Sequence, residues 1–360
     1  MYNAVNEIPD AVNERADLLD IAYDEQCREP RDDLILVECT ELSQDNRTQC
    51  RAQRVNKKLV AEHFSAACSS YDKYAQVQKQ IAEVNLKLLC EVMPGHSKYA
   101  VDLGCGTGLH TSSLAKMADN CLAIDISHDM LKTAHTNNAD MATAANKAIL
   151  YCTGDADSLP LQTQSIDVLH SSMALQWCAS PSNTIAEIAR VLSTNGSAQL
   201  AIMLDSSLDE LRQAWQNIGL APRVNEFFSQ KQWLEATQNL QTYQLSANAV
   251  TQINVEHQVR SFTEWHPSSL HMLRALKRIG AATKSNGAQI DENSRLQLVS
   301  ATSAAMSKQE LLELDEQMRQ QRQALSAQST QRKASDKEET NQSLPLTYQI
   351  LFLSIKKIQS

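Results

Sequence analysis

Apolar positions recur at two different periods along this chain, and the change from one to the other predicts its architecture. Val77, Ile81, Val84 and Leu88 fall at three- and four-residue steps, the spacing of one face of a helix. From residue 99 the apolar positions gather into short runs. YAVDLG (99–104), CLAIDI (121–126), AILYCT (148–153), IDVLHSS (166–172) and SAQLAIML (197–204) read as strands. Helical stretches over 109–118, 128–139 and 181–192 lie between them, and another at 207–218 follows the last. Strands that alternate with helices imply parallel pairing through right-handed crossovers. A serine cap before Pro181 and the Asn195-Gly196 pair are orthodox helix start and stop signals. The expected fold is therefore α/β, a doubly wound and mostly parallel sheet.

Beyond residue 220 the pattern thins to a helix at 229–239, an alternating segment at 243–256 and a helix at 267–279. No Phe, Trp or Tyr occurs between Trp265 and Tyr348. Within that stretch, about 304–343 is rich in Gln, Ser, Lys and Glu and reads as a polar insertion. Only LLELDEQMRQQRQAL there has the composition of an exposed helix. TYQILFLSI (347–355) then returns as a closing antiparallel strand. Residues 1–52 mix charge with Asn and Gln, and only DLILVE (33–38) resembles a strand, so they are expected to form a poorly ordered extension. The main domain is placed at 53–360, with helical substrate-side elements over about 207–285.

Charge sharpens this division. Residues 1–50 carry thirteen acidic and four basic side chains, which accounts for the whole net charge of −9. The rest of the chain is balanced, which disfavours a nucleic-acid binder. No run of about 18 apolar residues occurs, and the opening MYNAVNEIPDAVNERADLLD is acidic, so neither a membrane span nor a secretory signal is expected. The 9 cysteines form no CxxC, which suits reduced thiols of a cytoplasmic protein better than a disulfide frame or a metal site.

Candidate chemistry begins with VDLGCGTG (101–108), where the first strand meets a helix. Gly104, Gly106 and Gly108 permit a tight turn and a close approach of backbone to ligand, and the helix behind them offers free N–H groups. Asp125 ends the next strand, where a carboxylate can accept hydrogen bonds from two ribose hydroxyls. The pair reads as nucleoside recognition. A dinucleotide site has GxGxxG facing a pyrophosphate. Here the third glycine comes one place early, and Asp102 precedes the first by two. An acid there suits a cationic ligand with an amino-acid tail. A glycine turn without a ligand is the plainer alternative.

That spacing, with Asp102, resembles the first motif of class I S-adenosylmethionine-dependent methyltransferases, which implies their Rossmann-like fold and S-adenosyl-L-methionine as cofactor. In that superfamily an Asp in the position of Asp155, within GDADSLP (154–160), contacts the adenine amino group; on its own the segment could equally be an acidic loop. After the fourth strand HSSMALQWC (170–178) lacks the Asn/Asp-Pro-Pro-aromatic sequence of amino-directed nucleic-acid methylases. The resemblance narrows further through Phe64, Tyr71, Asp72, Ala75 and Gln78 (F-x6-YDxxAxxQ), ALQWC (174–178), LKRIGA (276–281) and PLTYQILFL (345–353). Together these resemble the malonyl-acyl-carrier-protein O-methyltransferases of biotin synthesis, from about residue 56 onward apart from the polar insertion. Ser172 departs from the Asn usual there.

The resemblance implies methyl transfer to the free carboxylate of a malonyl thioester on acyl carrier protein. A carboxylate is already ionised at pH 7, so no general base is required, and none of the 9 histidines sits in a catalytic motif; His170 is expected to face the core. Cofactor contacts are expected from Asp102, Gly104, Cys105, Gly106, Gly108, Asp125, Ile126, Asp155, Ala156 and Ser172, with Tyr71 and Gln78. Tyr71, Gln176 and Trp177 are positioning candidates. Phe64, Tyr71 and Gln78 would share one face of a continuous helix, serving as a lid or as plain helix packing. Trp177 is a substrate wall or a core residue. Arg274, Lys277 and Arg278 at i, i+3, i+4, with Lys284 beyond, form a basic face opposite Leu270, Leu273 and Leu276. That face suits an acidic carrier or the malonyl carboxylate, and is otherwise a solvated surface. Two other readings remain: a class I enzyme for another small carboxylic acid or quinone precursor, and a catalytically silent methyltransferase-like subunit.

Overall fold

The computed structural model describes residues 56–93, 95–139, 149–222, 224–238, 240, 251–279, 307–328 and 343–359. The extension over 1–52, residues 243–250 of the alternating segment, Lys284 and positions 329–342 of the polar stretch lie outside the described residues. In chain order the elements begin with helices α1 (Lys57–Ala67), α2 (Tyr71–Tyr74) and α3 (Gln76–Val92), then β1 (Ser97–Leu103), α4 (Thr111–Lys116), β2 (Ala118–Asp125), α5 (His128–Asn137) and β3 (Ile149–Thr153). There follow β4 (Ile166–Ser172), α6 (Pro181–Val191), β5 (Leu192–Met203), α7 (Asp209–Asn217), α8 (Gln230–Gln238), β6 (Thr251–His266), α9 (Ser269–Arg278), α10 (Lys308–Gln328) and β7 (Leu344–Gln359).

The described strands form one sheet in the order β3-β2-β1-β4-β5-β7-β6. Pairs from β3 through β5 are parallel, while β7 joins β5 and β6 antiparallel. This is the expected doubly wound order. The chain winds outward from β1 to β3, then returns to the other side of β1 with β4, so the strand order reverses between β1 and β4. The carboxyl ends at such a reversal open into a crevice that two neighbouring strands leave between them.

Both faces of the sheet are covered, and the residues alternate accordingly. On β7, Leu351, Leu353 and Ile355 enter one core with Ile185 and Ile188 of α6. Tyr348, Ile350 and Phe352 enter the other, with Ile81 of α3, Trp215 of α7 and Leu276 of α9.

Three elements differ from the sequence expectation. The helix carrying Phe64, Tyr71 and Gln78 is not continuous: it breaks after Ala67 and again at Ala75, whose φ −84, ψ 45 is not helical. The sheet closes with a long antiparallel pair, because β6 runs to His266. Its exposed positions are mostly polar, Val259 and Trp265 apart, so the apolar run that would have marked a strand is missing. Finally, the helical part of the polar stretch is docked. Leu314 and Met318 of α10 are fully buried in the second core, and Asp315 accepts from the Ser269 N–H at 2.7 Å. Two apolar anchors in a 21-residue polar helix leave a weak amphipathic signal, which is why the sequence reads as an insertion.

Candidate functional site

The crevice at the carboxyl ends of β1, β2 and β4 holds an open cavity of about 1120 Å³. Its floor is the turn after β1. Gly106 adopts φ 55 and its N–H donates to Asp125 Oδ2 at 2.9 Å. A Cβ on Gly104 would lie 2.1 Å from the Ala174 Cβ, so the turn also needs glycine to pass beneath the loop after β4. Gly108 does not line the cavity; a Cβ there would meet Ala134 and Asn138, so its role is to seat α5. Cys105, Ile126 and Ala156 line the cavity.

Asp125 is buried at the end of β2. It accepts from the N–H groups of Gly106 and Ser127, the latter at 2.8 Å. Burial raises its pKa to about 6, against those two hydrogen bonds, which oppose the shift. Asp102, also buried, accepts from Thr111 Oγ1 at 2.6 Å and faces His170 Nδ1 at 3.2 Å. His170 is buried on β4 as expected, yet it lines the cavity too. With Nδ1 turned to a carboxylate, Nε2 is left toward the site. His170 Nε2 and Ser172 Oγ are buried and find no partner among the described residues. Buried polar atoms without a partner are uncommon in folded proteins.

A second region of the cavity is formed by the loop after β3. Asp155 lines it, with Oδ1 accepting from the N–H of Asp157 at 3.0 Å. Lys57 of α1 reaches across to Asp155 and Asp157, each at 2.7 Å. Burial works against that ammonium, but the two carboxylates outweigh it and raise its pKa. Nothing in the sequence marks Lys57. Ser65 and Ser127 hydroxyls meet at 2.9 Å, so α1 is pinned over the site at two points. Asp72 of the YDxxA motif accepts from Thr107 Oγ1 at 2.6 Å, which ties α2 to the glycine turn. The acids Asp72, Asp102, Asp125 and Asp155 line the cavity against Lys57 and Lys79, a field suited to a cation and hostile to a diphosphate.

Beyond the glycine turn a smaller chamber of about 400 Å³ adjoins the first and shares Phe64, Tyr71, Gln78, Met173 and Trp177 with it. Although they sit on three separate helices, Phe64, Tyr71 and Gln78 thus meet at one site. Trp177 is edge-on to Phe64 at 5.6 Å and to Phe227 at 5.9 Å, so it is packed and is a wall of both spaces. Gln176 donates to the Met173 carbonyl at 2.7 Å, and its buried Oε1 finds no partner among the described residues. Burial, with Asp125 and Asp72 nearby, pushes the Tyr71 hydroxyl far above its ordinary pKa. Tyr348 of β7 lines this chamber as well; its PLTY sequence is part of the resemblance, but nothing there pointed to the site.

Arg274, Lys277 and Arg278 are exposed on α9, and none lines either space. The helix turns Leu276 into the chamber, with Ile279 just after it, and buries Met272, so its basic face must point outward. A role in clamping the malonyl carboxylate is thereby set aside. The Arg278 guanidinium lies 4.2 Å from the Tyr74 ring centre. Among the described residues no helix is long and apolar enough to cross a membrane.

The chain is also similar in sequence to known proteins. A methyltransferase-domain family profile matches residues 101–200, the span from β1 into β5. The chain is 32% identical over 230 residues to a malonyl-acyl-carrier-protein O-methyltransferase of Pectobacterium atrosepticum, covering 64% of this chain and 81% of that protein. A protein of the same name from Hahella chejuensis is 33% identical over 229 residues, covering 63% of this chain and 75% of its own length. The biotin biosynthesis bifunctional protein BioHC of Cellvibrio japonicus is 32% identical over 189 residues, which is 52% of this chain and 36% of that protein. Its switch-point cavity, glycine turn and closing strand pair therefore belong to a chain that is a member of the malonyl-acyl-carrier-protein O-methyltransferase family.

Proposed function

We propose that this chain transfers a methyl group from S-adenosyl-L-methionine to the free carboxylate of malonyl-acyl carrier protein, giving the methyl ester that enters biotin synthesis. The observation that carries the reading is the pairing of an acid-lined cavity at the strand reversal with a small uncharged chamber beside it.

The residues fit the cofactor. Asp125 is the acceptor for two ribose hydroxyls, and Asp155 keeps Oδ2 for the adenine amino group, between Ile126 and Ala156. Gly104, Cys105 and Gly106 bring bare backbone against the ligand. Asp102, His170 and Ser172 surround the end suited to an amino-acid tail, where the two unpartnered atoms lie. When bound, S-adenosylmethionine supplies a methyl on a positively charged sulfur.

The chemistry asks little more of the protein. A malonyl carboxylate oxygen attacks the methyl carbon; the C–O bond forms as the C–S bond breaks, and the electron pair stays on sulfur. No proton moves, so no acid or base is needed. Tyr71, Gln176 and Trp177 would align the acceptor, and closure by α1 to α3 would exclude water.

The exposed α9 face would receive the acidic carrier, whose pantetheine arm then enters beside that helix. A cytoplasmic setting belongs to the same reading, since unpatterned thiols suit a reducing compartment. Incubation with malonyl-acyl carrier protein and labelled S-adenosylmethionine should yield the methyl ester by mass spectrometry. Failure to form it, together with failure to restore a biotin-requiring strain lacking its own methyltransferase, would overturn the reading.

A further inference from the structure

The smaller chamber is lined by no formally charged side chain, although the function proposed above has it receive an anion. Lys79 lines only the larger cavity, and its Nζ donates to the Asp72 carbonyl at 2.6 Å. The side chains lining the chamber that carry polar groups are Tyr71, Gln78, Gln176, Trp177 and Tyr348. Gln176 spends one amide N–H on the Met173 carbonyl, and its Oε1 is buried without a partner among the described residues. Donors are carried by the other four as well.

Tyr348 is the best placed. Its ring is buried, and its hydroxyl points to Glu264 Oε2 at 3.5 Å, the limit of a hydrogen bond. Gln78 lines the same chamber beside it. A carboxylate bound in the chamber would compete with Glu264 for that hydroxyl.

From this geometry we infer that the malonyl carboxylate is held by uncharged donors, with Tyr348 as the residue that selects for it. The inference rests on the function proposed above. Its physical sense lies in the charges. The attack joins an anionic oxygen to a methyl on a cationic sulfur, and both charges vanish as the bond forms. A cation beside the carboxylate would stabilise the starting ion more than the transition state, and so slow the step. Neutral donors in an apolar chamber orient the oxygen without that penalty. They also discriminate, because an acyl group lacking the carboxylate leaves a buried hydroxyl without its new partner.

The test compares binding of malonyl- and acetyl-acyl carrier protein to the full chain with S-adenosylhomocysteine present. Wild type should favour the malonyl form. Tyr348→Phe should weaken malonyl-carrier binding about tenfold or more, leave acetyl-carrier binding within about twofold, and leave S-adenosylhomocysteine affinity unchanged. Should Tyr348→Phe fail to fold, Glu264→Gln, which removes the carboxylate competing for that hydroxyl, should strengthen malonyl-carrier binding several-fold and leave acetyl-carrier and S-adenosylhomocysteine binding unchanged. Unchanged malonyl affinity, or equal losses for both carriers, would overturn the role of Tyr348. Wild type that neither prefers the malonyl carrier nor methylates it would instead overturn the function on which the inference rests.

Discussion

Lys57 Nζ sits 2.7 Å from Asp155 Oδ1, so the carboxylate proposed to read the adenine is also the anchor of the helix above it. The same nitrogen holds Asp157, and these side chains are only partly exposed. Lys57→Met should therefore cost about 1–2 kcal/mol of stability, between the ranges of exposed and buried pairs. Its functional consequence is kinetic: with α1 left to Phe64 packing and the Ser65–Ser127 contact, S-adenosylhomocysteine should dissociate several-fold faster in stopped-flow measurements. An unchanged dissociation rate would show that α1 does not cover the exit.

Asp125 links stability to pH through the same cavity. Burial lifts its pKa to about 6, so the folded state holds this proton more tightly than the unfolded chain does. Its contribution favours the fold at low pH and is lost as pH rises from the ordinary carboxylate range through about 6, by on the order of 2–3 kcal/mol. Asp125→Asn should flatten that fall, measured as the difference in unfolding free energy between pH 4 and pH 7.5. The slope is the informative quantity, because an Asn amide must face one of two backbone N–H groups and so lowers stability at every pH. Ligand affinity should drop by roughly 2–3 kcal/mol. A variant whose slope matches wild type would contradict the raised pKa.

The polar helix α10 makes a packing prediction. Leu314 is fully buried against the second core, so Leu314→Ala should cost about 2–5 kcal/mol, the range for a large-to-small change that leaves a cavity. Chemical denaturation would measure it. A loss below about 0.5 kcal/mol would mean that α10 is an ornament on the surface, as its composition suggests.

The same helix marks where the sequence was legible and where it was not. Runs such as YAVDLG and IDVLHSS are continuous because both faces of a parallel strand are buried, and that made β1 to β5 readable. The glycine turn and Asp125 were readable because backbone geometry and a ribose each demand a particular residue type at a particular strand end. Neither condition holds for β6, whose outward positions are mostly polar, or for α10, whose two anchors are lost among glutamines. Lys57 and Tyr348 reach the site from the two ends of the domain, and only the tertiary fold brings them within reach of Asp155 and Gln78. Arg274, Lys277 and Arg278 were grouped correctly on one face of α9. Their distance from the chamber followed from how Leu276 packs, which periodicity alone does not orient.

That outward basic face gives the last prediction. Arg274 and Lys277 are exposed, whereas Arg278 also stacks on Tyr74, so reversing the first two to Glu changes charge with little effect on packing. If the acidic carrier docks here, the double variant should raise KM for malonyl-acyl carrier protein at least tenfold at low salt. Each exposed pair contributes only about 0.2–1 kcal/mol, but several steer the encounter together and reversal adds repulsion. The defect should shrink as salt rises, because the Debye length falls from about 10 Å at 0.1 M to about 3 Å at 1 M. A small malonyl thioester without the carrier should react nearly as before, and affinity for S-adenosylmethionine should not move, since neither residue lines the cavity. Equal losses on both acceptors would instead indicate a disturbed chamber wall through Leu276. Wild-type kinetics on the carrier-bound substrate would make this face a solvated surface and send the search for the docking site elsewhere.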